Sequence, residues 1–254
     1  MSMTERICFP FPRKVYTQWC ESFYTQINGP EAVTTERMWN EEKWEAHVIC
    51  SRGNMLEKAG VCRIHLAEGT IYEAPGSLEV FETLAYPANP LTPGLIVMSN
   101  MSDTESMGRA IVFYTDLIVQ SGASAYQAKK FFGDSVMSVC HKHGYDYNEY
   151  AAFMTGRGLL GGCAAECGIM GFFEEKDISF IENLIQQAID AYTEILHEGR
   201  DNSPQASDYD AMFASRARLV EWLAVEDYGV KVARENGIPL AVMESYGFPP
   251  VVKY

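Results

Sequence analysis

Between residues 12 and 47 the apolar residues recur at helical spacing: Val15, Trp19 and Phe23, then Met38, Trp39 and Trp44. This stretch is therefore expected to be helical. From about residue 48 the period changes to two. Val48–Cys50, the turn Arg52-Gly53-Asn54 and Leu56–Ala59 read as strand, tight turn and strand, and Val61–Leu66 continues the sheet. Residues 72–92 are rich in Pro and Gly, show no clear period and are expected to form a loop. Leu95–Met98 and Ala110–Tyr114 are β-branched apolar runs expected as strands. Ser99–Ser106, between them, has the composition of a turn.

The second half of the chain reads mainly as helix. Residues 123–143 place Ala125, Ala128, Phe131, Phe132, Val136, Val139 and Cys140 at helical spacing, whereas 157–171 are too glycine-rich for a helix interior. Asp177–Leu196 carries the clearest amphipathic face, from Ile178 and Ile181 to Ile195 and Leu196, with Gly199 suited to its C-terminal end. Asp208–Leu223 is a further helix. Tyr228–Ala233, the dipeptide Asn236-Gly237 and Leu240–Ser245 read as a hairpin, with Pro239 at a strand start or edge. No internal repeat or low-complexity tract interrupts the pattern. The expected fold is α+β, a single domain over residues 1–254 with one large, mainly antiparallel sheet flanked by helices.

Charge narrows the classes of function. Against 20 Lys and Arg stand 34 Asp and Glu, a formal net charge of −14, and no basic run offsets it locally. Such a surface repels phosphate backbones, so no nucleic-acid partner is expected. No apolar stretch reaches the length of a membrane span, and Met1–Arg13 lacks the apolar core of a secretory signal. The seven cysteines are odd in number and scattered, as reduced thiols of a cytoplasmic protein would be.

Several residues could carry chemistry. His65 lies on a strand, where a side chain facing a pocket can act as acid or base; a histidine satisfied within the core is the alternative. Asp103, Glu105 and Arg109 are polar groups beside the third and fourth strands, or else residues of a solvated turn. Cys163 and Cys167 flank Glu166, but no second cysteine pair completes a zinc site, so no metal is expected. Glu174 and Glu175 are adjacent carboxylates that either do acid–base work or cap the helix that follows.

Five segments, in order, resemble the oxygen-dependent coproporphyrinogen oxidase family. They are Leu56-Glu57-Lys58-Ala59-Gly60-Val61 with His65 following, His143–Tyr147, Gly168–Glu175, Arg216–Glu221 with Asp227, Gly229 and Lys231, and Phe248–Tyr254. Together they cover about residues 39–254. The resemblance implies the sheet-and-helix fold, a homodimer, and cofactor-free oxidation of a small molecule with molecular oxygen as co-substrate.

The polar working groups that the family places along one strand are replaced here. Gly108, Ala110 and Val112 stand where it has His, Asn and Arg, and Cys167 stands for a further Arg. Asp116-Leu117 is similar to the remnant of a glycine-rich segment. Four propionates in a low-dielectric pocket need Arg or Lys partners, so coproporphyrinogen itself is not the expected substrate. The expectation is an oxidase or oxidative decarboxylase acting on a pyrrolic or other electron-rich aromatic molecule. His65, Arg109 and Asp116 are its catalytic candidates, and Asp103, Gly108, Cys167 and Glu174 its substrate-binding candidates. Two rivals remain: a bilin-reductase-like enzyme, and a tetrapyrrole or small-ligand binding protein without catalysis.

Overall fold

A computed structural model of the protein describes Tyr24, residues 26–121 and residues 125–253. Seven strands form one antiparallel meander in chain order: β1 (Val33–Asn40), β2 (Trp44–Arg52), β3 (Leu56–Ile71), β4 (Ala74–Pro87), β5 (Gly94–Thr104), β6 (Gly108–Ile118) and β7 (Ile169–Phe173). The helices of six residues or more among the described residues are α1 (Ala125–His143), α2 (Tyr147–Ala152), α3 (Ile178–Gly199), α4 (Ala206–Val225), α5 (Tyr228–Glu235) and α6 (Leu240–Tyr246). The expected α+β class with a large antiparallel sheet is what the molecule has. Among the described residues, no helix is long and apolar enough to cross a membrane.

Helices cover both faces of the sheet, so the chain buries two cores. On one face Phe81, Val97 and Phe113 pack against Phe132 and Val136 of α1 and Phe180, Ile181 and Leu184 of α3. On the other, Ile64, Leu84 and Ile96 meet Leu219 and Leu223 of α4, Val232 of α5, and Val242 and Tyr246 of α6. A strand covered on both faces needs apolar side chains at successive positions, not alternate ones. This is why residues 72–92 are not the expected loop. Most of them form β4, whose Phe81, Leu84, Ala85 and Tyr86 are buried regardless of parity. Pro75 and Gly76 sit at its first residues, beside the hairpin tip where Tyr72 and Glu73 adopt φ of 51° and 64°.

Three other expectations change. Met38, Trp39 and Trp44 belong to β1 and β2, not to a helix, because a tight connection at residues 41–43 turns the chain back into strand pairing. Val15, Trp19 and Phe23 lie outside the described residues. Ser99–Ser106 is mostly strand: β5 runs through its polar residues to Thr104, and the turn is confined to 105–107.

Residues 228–246 form α5 and α6, not a hairpin. Asp227 caps α5 by accepting from the Val230 amide at 2.8 Å. Asn236-Gly237 then ends the helix, with Gly237 at φ 77° and the Ile238 amide donating to the Ala233 carbonyl at 2.9 Å. A left-handed residue serves a type I′ hairpin turn and a helix C-terminus equally, so the dipeptide alone cannot distinguish them.

Several of the segments that carry the family resemblance fasten helices to the sheet. The buried Arg216 of α4 reaches Glu57 at 2.7 Å, Gln120 at 2.9 Å and the Pro87 carbonyl at 3.0 Å. Lys58 donates to the carbonyls of Glu244 and Phe248, closing the end of α6, and burial lowers its pKa to about 8. A Cβ at Gly60 would lie 2.4 Å from the Cβ of Tyr246, so only glycine lets α6 settle on β3. The segment His143–Tyr147 ends α1 as expected, with Gly144 at φ 79°.

Candidate functional site

Between the sheet and helices α5 and α6 lies a narrow slot with about 60 Å³ of space that water-sized molecules can reach. Its walls are apolar: Ile64 and Leu66 of β3, Val80 of β4, Met98 of β5, and Val230 and Met243 of the helices. Besides Tyr246 and Arg234, three polar side chains enter this lining from separate elements. Glu82 comes from β4, Asn100 from β5, and Asp227 from the residue before α5.

Glu82 is 8% exposed, and among the described residues its side chain accepts from the Tyr246 hydroxyl at 2.5 Å. Burial first, and then the negative charge of Asp227, raise its pKa to about 8 against the opposing Tyr246 bond. At neutral pH Glu82 is therefore mainly a protonated acid, since an ion would be stranded in an apolar wall. Asp227 is also shifted upward, first by burial, against the pull of the Val230 and Gly229 amides and the charge of Lys231. Two carboxyls whose environments differ this way can hold a proton on one and release it from the other. Arg234, on the outer side of α5, is the one Lys or Arg in the lining.

The residues singled out from the sequence are not brought together. His65 is buried on the opposite face of the sheet, its Nδ1 2.7 Å from Glu79, which also accepts from Arg63 at 2.5 Å. Arg109 is exposed at the end of β6 and pairs with Asp103 at 3.0 Å and Glu175 at 2.8 Å. Gly108 is the first residue of β6, just after the turn, with φ 67°.

Asp116 is buried at the far end of β6. It accepts from the amides of Leu117, Glu166, Cys167 and Gly168, and the Cys167 thiol lies 3.3 Å from it. This set ties the glycine-rich segment to the sheet. Burial raises the Asp116 pKa while these bonds oppose it, and burial also pushes the Cys167 thiol well up. Glu174 is exposed, pairs with Lys176 at 2.9 Å and caps the short 3₁₀ turn Glu175–Asp177 that leads into α3.

The slot's own polar groups left only faint traces in the sequence. Asp227 stands within a segment of the family resemblance. Glu82 is a lone acid in the apolar run from Val80 to Leu84, a signal that becomes legible only once residues 74–87 are taken as a strand buried on both sides. No protein-family model matches the chain, and no curated protein matches it in sequence.

Proposed function

We propose that this protein binds a small conjugated nitrogen heterocycle in the slot and protonates it during reduction, as a bilin-reductase-like enzyme would. The observation that carries the reading is Glu82, a carboxylic acid kept neutral in an apolar wall with Asp227 nearby. Adding hydrogen across a double bond takes two electrons and two protons. Glu82 supplies a proton at the bound molecule, Asp227 is placed to supply or relay the second, and an external one-electron carrier supplies the electrons. With a net charge of −14, the chain would favour a basic or neutral carrier over an acidic one.

The oxygen-dependent oxidation implied by the motif resemblance needs a base at the reacting carbon. The slot offers two acids with raised pKa values and no histidine or lysine in its lining. We propose a homodimer on the ground of that resemblance, and a cytoplasmic location on the ground of the scattered, odd-numbered cysteines.

The deciding experiment incubates the protein without oxygen, with biliverdin and a chemical one-electron donor, while absorbance is followed. A shift to a reduced bilin spectrum is expected. Glu82→Gln should slow it about 10²–10⁴-fold, the usual effect of removing a positioned proton donor. In the parallel aerobic assay, coproporphyrinogen III should give no protoporphyrin beyond buffer. Oxygen-dependent turnover of coproporphyrinogen, or a Glu82→Gln variant as fast as wild type, would overturn the proposal.

A further inference from the structure

The slot as it stands is closed. Only about 60 Å³ inside it is open to water-sized molecules, whereas a bound small molecule fills a pocket of about 300–1,000 Å³. One wall has to move before a heterocycle enters, and the two helices that cover the sheet are held very differently.

Helix α6 is fastened from beneath. The buried Lys58 donates to the carbonyls of Glu244 and Phe248, and the buried Tyr86 hydroxyl donates to the Gly247 carbonyl. Arg37 adds a bond to Ser245 Oγ at 3.1 Å. Helix α5 lacks such anchors. Val230 and Val232 are buried under it, but among the described residues no ion pair joins it to the sheet. The ion pair of its Lys231 is local, to Glu226 at 3.8 Å.

What holds α5 lies at its rim, on the β3–β4 hairpin. Asn236, just past the helix, donates from Nδ2 to the Thr70 carbonyl at 2.9 Å and accepts on Oδ1 from the Thr70 amide at 2.8 Å. Gly69 makes room for this contact, since a Cβ there would lie 2.1 Å from Asn236 Oδ1. At the other end of the helix Tyr228 stacks on Tyr72, the ring centres 5.1 Å apart and the planes 9° from parallel. Tyr72 and Glu73 hold φ of 51° and 64°, a conformation that costs energy in any residue with a Cβ. Both Asn236 bonds face solvent, and Tyr228 is 47% exposed. Water replaces such contacts readily, so the clasp is weak and reversible. The chain can bend on either side of it, at residues 226–227 and at Gly237 with φ 77°.

We infer that α5 is a hinged lid over the slot, latched to the β3–β4 hairpin by Asn236 and the Tyr72–Tyr228 stack, and that its opening admits the ligand. The last clause rests on the reading of the slot as the ligand site. The hinge does not.

Alkylation of a cysteine placed under the lid reads the opening with no ligand present. Val230 is 3% exposed and lines the slot, so Val230→Cys is treated with iodoacetamide and labelling is followed site by site by mass spectrometry. Cys62, in the core under α6, and Cys140, in the opposite core, are fully buried internal controls. The cysteine at 230 should react before both. Adding Asn236→Ala should speed its labelling about tenfold or more, because two hydrogen bonds of the closed state are lost, and should leave Cys62 and Cys140 unchanged. Tyr228→Ala in the same background should act in the same direction. No acceleration in either variant, or equal acceleration at all three sites, would overturn the lid.

Stopped-flow absorbance with biliverdin tests the gate. Association should be faster in Asn236→Ala by a similar factor, since the state able to bind is populated more often. An unchanged association rate beside a faster-reacting cysteine would overturn the gate. If biliverdin does not bind at all, the reading of the slot falls, and the labelling still decides the lid.

Discussion

Glu82 ties the stability of this protein to pH in a direction opposite to that of most carboxylates. Its pKa in the fold is about 8, against 4.5 for the ordinary group. Between those two values the folded chain holds a proton that the unfolded chain has released. Stability therefore falls as pH rises through this window. Glu82→Gln keeps an acceptor for Tyr246 and has nothing to ionise. The variant should match wild type near pH 4 and gain on it steadily up to about pH 8, by at most about 5 kcal/mol at roughly 1.4 kcal/mol per pKa unit. Urea unfolding at several pH values checks this, and a difference that stays flat with pH would mean that the carboxyl is ionised in the fold. At the same scale, the sequence offered His65, Arg109 and Asp116 as reactive groups. Their chemistry was legible but their surroundings were not. Each already has neighbours that account for it: a buried glutamate, two surface carboxylates, and a set of backbone amides.

Elements are joined here by a few buried polar anchors. Arg216 is 1% exposed and connects α4 to the starts of β3 and the end of β4 through Glu57 and the Pro87 carbonyl. Arg216→Met should cost roughly 3–5 kcal/mol, because it strands the partners of a buried charge. Arg109→Ala removes two ion pairs on a side chain that is 41% exposed, and should cost far less. Chemical denaturation of the two variants side by side checks the contrast, and equal losses would contradict this account of the anchors. The long helices α1, α3 and α4 were legible in the sequence, α3 most clearly because its sustained apolar face determines its own period. The pair α5–α6 was not. Both helices are short, and their junction Asn236-Gly237 satisfies a hairpin turn as well as a helix end.

At the scale of the whole molecule, the proposed homodimer predicts a light-scattering mass twice that of the 28.5 kDa chain at micromolar concentration. A mass of one chain would remove that part of the proposal. The sequence by itself determined the class of fold: period-two runs joined by tight turns, then long amphipathic helices, leave an antiparallel sheet covered by helices as the arrangement that buries both kinds of face. It also determined the net charge of −14, which does not depend on folding. Only the tertiary structure decided that residues 74–87 are a strand, because burial on both faces erases the alternation that marks a strand in sequence. Only it decided where the chemistry lies. Glu82, Asn100 and Asp227 are far apart along the chain, and their meeting depends on strand register and on α5 docking over the sheet. The proton affinity that makes Glu82 useful is likewise a property of the wall around it, and a linear sequence does not carry that wall.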